Sequence, residues 1–353
     1  MNAYRIPTDF PESDGTLEWD STTIIVVELG AGHSTGIGYT YSHGCCAPLV
    51  RETLFPIVRG KSPAMAAEIW NDMNVAVRNL GRSGIPSSGI AAVDIALWDL
   101  RARLLGTSFI NLIGAARKEI PVYGSGGFTS YSKDQLKKQL GQWVAEGISM
   151  VKMKVGRNPE ADPARVLWAR DAIGADAQLF VDANGAYNRK QALEKAEQFA
   201  KLNVTWFEEP VTSDDVEGLR LIRDRAPEQI QIAAGEYDDD ATQARRLVEH
   251  GAVDVLQADA TRCGGITGFL QAAALADAFH VPLSAHTAPA LHAHLCCAAP
   301  AAIHIEYFHD HVRIEEMFFD GVCKPEKGRC RPDPKRPGLG LDFKRLDAAK
   351  FKI

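Results

Sequence analysis

Apolar and polar positions alternate along the chain in three successive textures. Residues 22–29 form a β-branched and apolar run, Gly32-His33-Ser34-Thr35-Gly36 supplies turn residues, and residues 37–40 pair back as a hairpin. Upstream, residues 7–20 carry five acids (Asp9, Glu12, Asp14, Glu18 and Asp20). That stretch is too polar for a core and reads as a mobile surface loop. The strand before it, around Ala3-Tyr4-Arg5, is expected to be short. Residues 47–112 then take helical spacing, clearest in 91–100, with Gly106 and Gly114 as stops. Strands followed by helices predict an α+β unit.

After Pro121 short apolar runs alternate with amphipathic segments such as 191–201 and 241–250. The runs are Val122-Tyr123-Gly124, Met150-Val151-Lys152-Met153-Lys154, Leu179-Phe180-Val181-Asp182, Trp206-Phe207-Glu208, Ile232-Ala233-Ala234-Gly235-Glu236, Val255-Leu256-Gln257-Ala258-Asp259, Pro282-Leu283-Ser284-Ala285-His286 and Ile303-His304-Ile305-Glu306. They recur roughly every 20 to 30 residues, the rhythm of a closed parallel barrel. The fold class predicted is α/β: a (β/α)7β TIM-like barrel over residues 116–318, capped by an α+β domain from residues 1–115. A tail, 319–353, returns to the cap.

Composition agrees with this layout. At 353 residues the chain suits a barrel of roughly 250 residues plus a second domain. A net charge of −6 without a basic stretch argues against a nucleic-acid partner. No apolar run approaches the roughly 20 residues of a membrane span. Met1 to Phe10 lacks the pattern of a signal peptide, so a cytoplasmic location is expected. The seven cysteines, with no Cys-x-x-Cys spacing, read as reduced thiols.

The chemistry gathers at the strand ends, which share one face of a parallel barrel. A charge there is costly unless paired or metal-bound. Asp182, Glu208 and Glu236 end three consecutive runs. Three oxygen ligands suit a hard octahedral cation with open positions, and Mg2+ fits best. Lys152 and Lys154, two apart on one strand, both point inward. Beside a dication their pKa values are expected to fall, which suits one of them as a base. His286 and Asp259 end the seventh and sixth runs, and a carboxylate beside an imidazole fixes its tautomer. His304, in a local cluster with His309 and His311, reads as structural.

Together these pieces resemble the mandelate racemase subgroup of the enolase superfamily. The resemblance rests on Val151-Lys152-Met153-Lys154, Val181-Asp182-Ala183-Asn184, Trp206-Phe207-Glu208-Glu209-Pro210, Ala234-Gly235-Glu236, 257–265, Ser284-Ala285-His286 and Ile305-Glu306-Tyr307, in the family's order. It implies removal of a proton α to a carboxylate, giving a metal-stabilised enediolate. It also implies Lys154 as base on one face and His286, supported by Asp259, on the other. Lys152 assists an enediolate oxygen, and a protonated Glu306 donates to the carboxylate. Asn184 contacts substrate or a metal-bound water, and Glu209 supports the ligands from behind.

The resemblance also implies that two loops of the first domain, 7–20 and 39–46, cover the mouth, and with the hydroxyl-rich loop 125–131 they make Tyr39, Ser125 and Thr129 candidate substrate contacts. Polar loops predict a polyhydroxy acid and hence a sugar-acid dehydratase. Racemase or epimerase and cycloisomerase chemistry are the alternatives. A muconate-lactonising type would carry lysine where this chain has Asp259. Other metal-dependent barrel enzymes leave Lys152, Lys154, Asp259 and His286 unexplained. A binding protein without catalysis would be expected to have lost one of these groups. The partners expected are a small-molecule carboxylate and further copies of the chain.

Overall fold

The computed structural model describes residues Met1–Ile353. Its first layer is an antiparallel sheet, β1 (Asn2–Ser13), β2 (Glu18–Ala31) and β3 (Ser34–Tyr41), in that order. Alternation along β2 gives the sheet two buried faces. Ile25, Val27 and Leu29 pack with Ala92, Val93, Ala96 and Leu97 of the helix Ile85–Leu104. Ile24 and Val26 join Tyr4, Ile6 and Tyr39 in the main core shared with the barrel. The helix lies so close to β3 that a Cβ on Gly38 would sit 2.5 Å from the Ala96 nitrogen.

The sheet corrects the reading of residues 7–20 as a mobile loop. β1 is twelve residues long and pairs with β2 to the tip, with a register shift between Pro7 and Glu12 and then Glu12 opposite Trp19. Asp14 Oδ1 closes the turn by accepting the N–H groups of Thr16 (2.6 Å) and Leu17 (2.7 Å). Glu12, Ser13 and Asp14 are buried, because the hairpin docks on the barrel instead of facing solvent. At the tip a Cβ on Gly15 would sit 2.8 Å from Val155 O and would overlap Ala183 O. Local polarity carried no trace of that docking.

The second layer is a closed barrel of eight parallel strands: β4 (Ile120–Gly126), β5 (Met150–Lys154), β6 (Gln178–Asp182), β7 (Val204–Glu208), β8 (Gln231–Ala234), β9 (Val255–Ala258), β10 (Leu283–Ala285) and β11 (Ala302–Phe308). β11 pairs with β4 to close it. Inward residues alternate along each strand. Tyr123, Phe180, Trp206, Ala233 and Val255 plug the lower barrel, with Phe180 stacked on Trp206 at 5.2 Å. Two residues further on, the same inward rows carry Ser125, Asp182 and Glu208. His304 belongs to the plug, its ring against Tyr123 and Trp206 and its Nδ1 2.9 Å from Ser284 Oγ.

The tail crosses the molecule. Arg329–Cys330 pairs antiparallel with the start of β4, and Asp342–Phe343 pairs with Phe319–Asp320. At the end of the chain, Ile353 N–H donates to Ala3 O. No helix is long and apolar enough to cross a membrane.

Cap and barrel are joined by a buried carboxyl. Asp94, on Ile85–Leu104, accepts from Thr267 N–H (2.9 Å) and Thr267 Oγ1 (2.7 Å). Burial pushes Asp94 up to about 7, against the opposing Thr267 hydrogen bonds. The folded chain therefore keeps this proton after the unfolded chain has released it near the ordinary value of 3.8. The associated stability is fully present below that value and is lost as pH rises to about 7. Melting temperature followed against pH should decline less steeply across this window in Asp94→Asn than in the wild type.

Candidate active site

Each group at the mouth is fixed by its strand. Lys154 of β5 stands beside Asp182 of β6, and Asp182 beside Glu208 of β7. Glu236 follows β8 at the same level. Oxygens of Asp182, Glu208 and Glu236 lie within 4.8 Å of one another, all buried. Lys152 Nζ is 2.5 Å from Glu208 Oε1, 2.9 Å from Glu306 Oε1 and 3.5 Å from Asp182 Oδ2. Lys154 Nζ is 2.5 Å from Asp182 Oδ2 and 3.1 Å from Asn184 Oδ1.

On the other side His286 Nδ1 is 2.8 Å from Asp259 Oδ2, leaving Nε2 facing the triad, 3.2 Å from Glu236 Oε2. Asp259 is itself held by the N–H and Oγ1 of Thr261, at 2.7 and 2.8 Å. Arg262 lies 3.7 Å from both Glu236 and Asp259, its guanidinium over the Tyr237 ring.

The backbone bends sharply where these groups emerge. Asn184, Glu209, Thr287 and Ala288 all have positive φ although none is glycine. Such strain persists only where surrounding contacts enforce it. Asn184 N–H donates to Asp182 Oδ1 at 2.9 Å, and Thr287 N–H to Glu306 Oε2 at 3.0 Å. Behind them His292 Nδ1 donates to Thr287 O (2.7 Å) while its Nε2 accepts from Ala260 N–H (2.9 Å). Burial lowers the His292 pKa, in keeping with that neutral pattern.

Electrostatics follow from charge density. Burial raises Asp182, but Lys154 and Lys152 outweigh it and hold Asp182 below the usual carboxylate range. Asp259 is likewise raised by burial and pulled down further by His286. Glu208 and Glu209 rise well above their ordinary value through burial and neighbouring carboxylates. Burial lowers Lys152 and Lys154, yet Glu208 and Glu306 around the first and Asp182 beside the second raise both above the ordinary lysine value. These are the carboxylates that a dication would neutralise, and the lowering expected beside a dication concerns that loaded state. Burial raises the Glu306 pKa, but Lys152, His286 and Lys154 bring it below the usual carboxylate range.

Six buried carboxylates, Asp182, Glu208, Glu209, Glu236, Asp259 and Glu306, face Lys152, Lys154 and Arg262. Carboxyl groups outnumber the cations, and that crowding adds to burial in raising Glu208 and Glu209. Glu209 Oε1 is buried without a hydrogen-bond partner, and Glu236 Oε2 has only the 3.2 Å approach of His286 Nε2. A hard divalent cation fits both observations.

The structure brings together Lys152, Lys154, Asp182, Asn184, Glu208, Glu236, Asp259, His286 and Glu306. Ser125 joins them indirectly, its Oγ donating to Glu306 Oε1 at 2.5 Å. Thr129 instead pins the hairpin, its Oγ1 2.6 Å from Ser13 Oγ and 2.8 Å from Asp14 O. Tyr39 is not available as a substrate contact. It is fully buried in β3, and its hydroxyl donates to Glu315 Oε1 at 2.5 Å. The second lid loop begins later than expected, because residues 39–41 belong to that strand. Thr261, Thr287, His292 and the Trp206 indole, which donates to Glu208 Oε2 at 2.9 Å, were not foreseen. Only Asp259-x-Thr261 left a local signal, the spacing of an Asx turn.

Comparison with known proteins agrees with this geometry. Residues 7–114 match the mandelate racemase/muconate lactonizing enzyme N-terminal domain, and residues 135–348 the enolase C-terminal domain-like family. An L-talarate/galactarate dehydratase of Salmonella typhimurium is 32% identical over 81% of this chain and 73% of its own. A 3,6-anhydro-alpha-L-galactonate cycloisomerase of Streptomyces coelicolor is 31% identical over 97% of this chain and 96% of its own. A mandelate racemase/muconate lactonizing enzyme-like protein from Rubrobacter xylanophilus superposes with a TM-score of 0.97 at 52% identity, over 100% of this chain and 98% of that one. The L-talarate dehydratase of Polaromonas sp. JS666, solved with Mg and L-glucarate, gives 0.90 at 32% identity, over 100% and 95%. Motif order, barrel and both domain matches agree: the chain belongs to the mandelate racemase/muconate lactonizing enzyme family of the enolase superfamily.

Proposed function

We propose that the protein is a Mg2+-dependent sugar-acid dehydratase, with Asp182, Glu208 and Glu236 as the metal ligands. The observation that carries this reading is the placing of two acid/base groups at opposite ends of the triad: Lys154 against Asp182, and the His286–Asp259 pair against Glu236. Mg2+ on the three carboxylates would supply a Lewis acid for the substrate carboxylate and take up negative charge that otherwise keeps Lys154 an ammonium.

Lys154, once neutral, takes the proton from the carbon next to the carboxylate. Lys152, whose Nζ sits between Glu208 and Glu306, faces the negative charge that develops on the carboxylate oxygens. Asp259 fixes the His286 tautomer so that Nε2 addresses the substrate. As an imidazolium, His286 gives its Nε2 proton to the β-hydroxyl. The C–O bond breaks, water leaves, and the enol rearranges to a 2-keto acid. Glu306, aligned by Ser125 and the Thr287 N–H, orients Lys152 and, in its protonated form, donates to the substrate carboxylate. Asn184 positions Lys154.

The relatives that act on talarate, galactarate and other aldonic or aldaric acids support this substrate class. The cap (1–115), barrel (116–318) and tail (319–353) are the working divisions of the same reading. Exposed Phe55, Val75, Leu80, Leu104 and Leu105 near the cap helices support self-association.

The test is a panel of mono- and diacid sugars with Mg2+ in D2O, scored for 2-keto product and for deuterium at the α-carbon. A 2-keto acid from at least one member is expected. Deuterium exchange without water loss would move the assignment to racemase or epimerase. An isomeric product formed from a lactone or anhydro sugar acid, the chemistry named for the Streptomyces coelicolor relative, would move it to cycloisomerase. No turnover of any sugar acid, with α-exchange of an aromatic 2-hydroxy acid, would reject the substrate class.

A further inference from the structure

A second group of metal-ligating side chains lies outside the triad, where the hairpin meets the end of β11. Glu12 stands near the hairpin tip, and His309 and Asp310 follow directly after the strand. One donor atom from each lies within 4.8 Å of the other two. Glu12 and Asp310 are 1% and 0% exposed. The Trp19 indole N–H donates to Glu12 Oε2 at 2.9 Å, and Glu12 Oε1 is left buried with no partner.

The surroundings are arranged as metal ligands usually are. Thr22 Oγ1 donates to Asp310 Oδ2 at 3.0 Å. His309 Nε2 lies 3.4 Å from Asp9 Oδ2. The one cation present is Arg313, 3.1 Å from Asp310 and 3.6 Å from Asp9. Three carboxyl groups thus share one guanidinium. Burial and Asp310 push Glu12 up to about 9, so a proton competes for the same place.

We propose that Glu12, His309 and Asp310 form a second divalent-cation site, distinct from the triad, that ties the lid hairpin to the eighth barrel strand. One imidazole and two carboxylates suit Zn2+ or Mn2+ better than Mg2+. An ion there would hold the hairpin closed without touching the substrate.

The experiment is Mn2+ titration of chelator-stripped protein at neutral pH, counting bound ions by electron paramagnetic resonance. Two ions per chain are expected in the wild type. Glu208→Gln should keep the second-site ion, so this outcome does not depend on the dehydratase reading. His309→Ala, at a half-buried position, should fold normally, weaken the second ion at least tenfold and leave the first. Glu12→Gln should retain a single ion. One ion per chain in the wild type, unchanged by His309→Ala, would overturn the proposal and leave a proton shared between Glu12 and Asp310.

Discussion

Lys154→Ala is expected to lower turnover of the sugar-acid substrate by about 100- to 10,000-fold, the usual contribution of a positioned general base. His286→Ala should lose a similar factor, but the two variants should fail differently. Without Lys154 neither deuterium exchange at the α-carbon nor 2-keto product survives. Without His286 the proton is still drawn off by Lys154, so exchange persists while water loss stops. Mass spectrometry of recovered substrate and a keto-acid assay separate the two. Equal exchange in both variants and the wild type would reject Lys154 as the base. The contrast follows from geometry, since the two groups contact opposite members of the triad, Asp182 and Glu236.

Asp182→Asn should abolish the effect of Mg2+ on both activity and stability. Asp182 is the hub of the site: one oxygen lies 2.5 Å from Lys154 and 3.5 Å from Lys152, and the other accepts the Asn184 N–H. Asparagine keeps the shape and removes the charge. A ligand present at 100 times its Kd stabilises a folded protein by about 2.7 kcal/mol. The wild-type melting temperature should therefore climb with added Mg2+, while that of Asp182→Asn stays level. A parallel rise in the variant would show that the ion is held elsewhere.

The barrel and its ring of ionisable groups were legible because strand period and strand-end chemistry are local. Asp182, Glu208 and Glu236 needed only three runs ending in acids, and parallel pairing then sets them side by side. The hairpin was misread for the opposite reason. Glu12 is buried by docking onto Asp310, 298 positions away in sequence, and no nearby pattern records that contact. Tyr39 failed as a substrate contact in the same way, its hydroxyl being claimed by Glu315. The protonation of Lys152 and Glu306 depends on a balance among several charges, each opposed by burial, and residue identity alone does not set its sign.

The plug beneath the site has an optical consequence. Trp206 stacks on Phe180, is shielded from solvent, and gives its indole hydrogen to Glu208 Oε2. Any change in the charge that Glu208 carries is transmitted through that one bond to a chromophore inside the barrel. The difference in emission between the wild type and Trp206→Phe, recorded as Mg2+ is added, would make the enzyme its own indicator of metal arrival, readable within a stopped-flow mixing time and without a label.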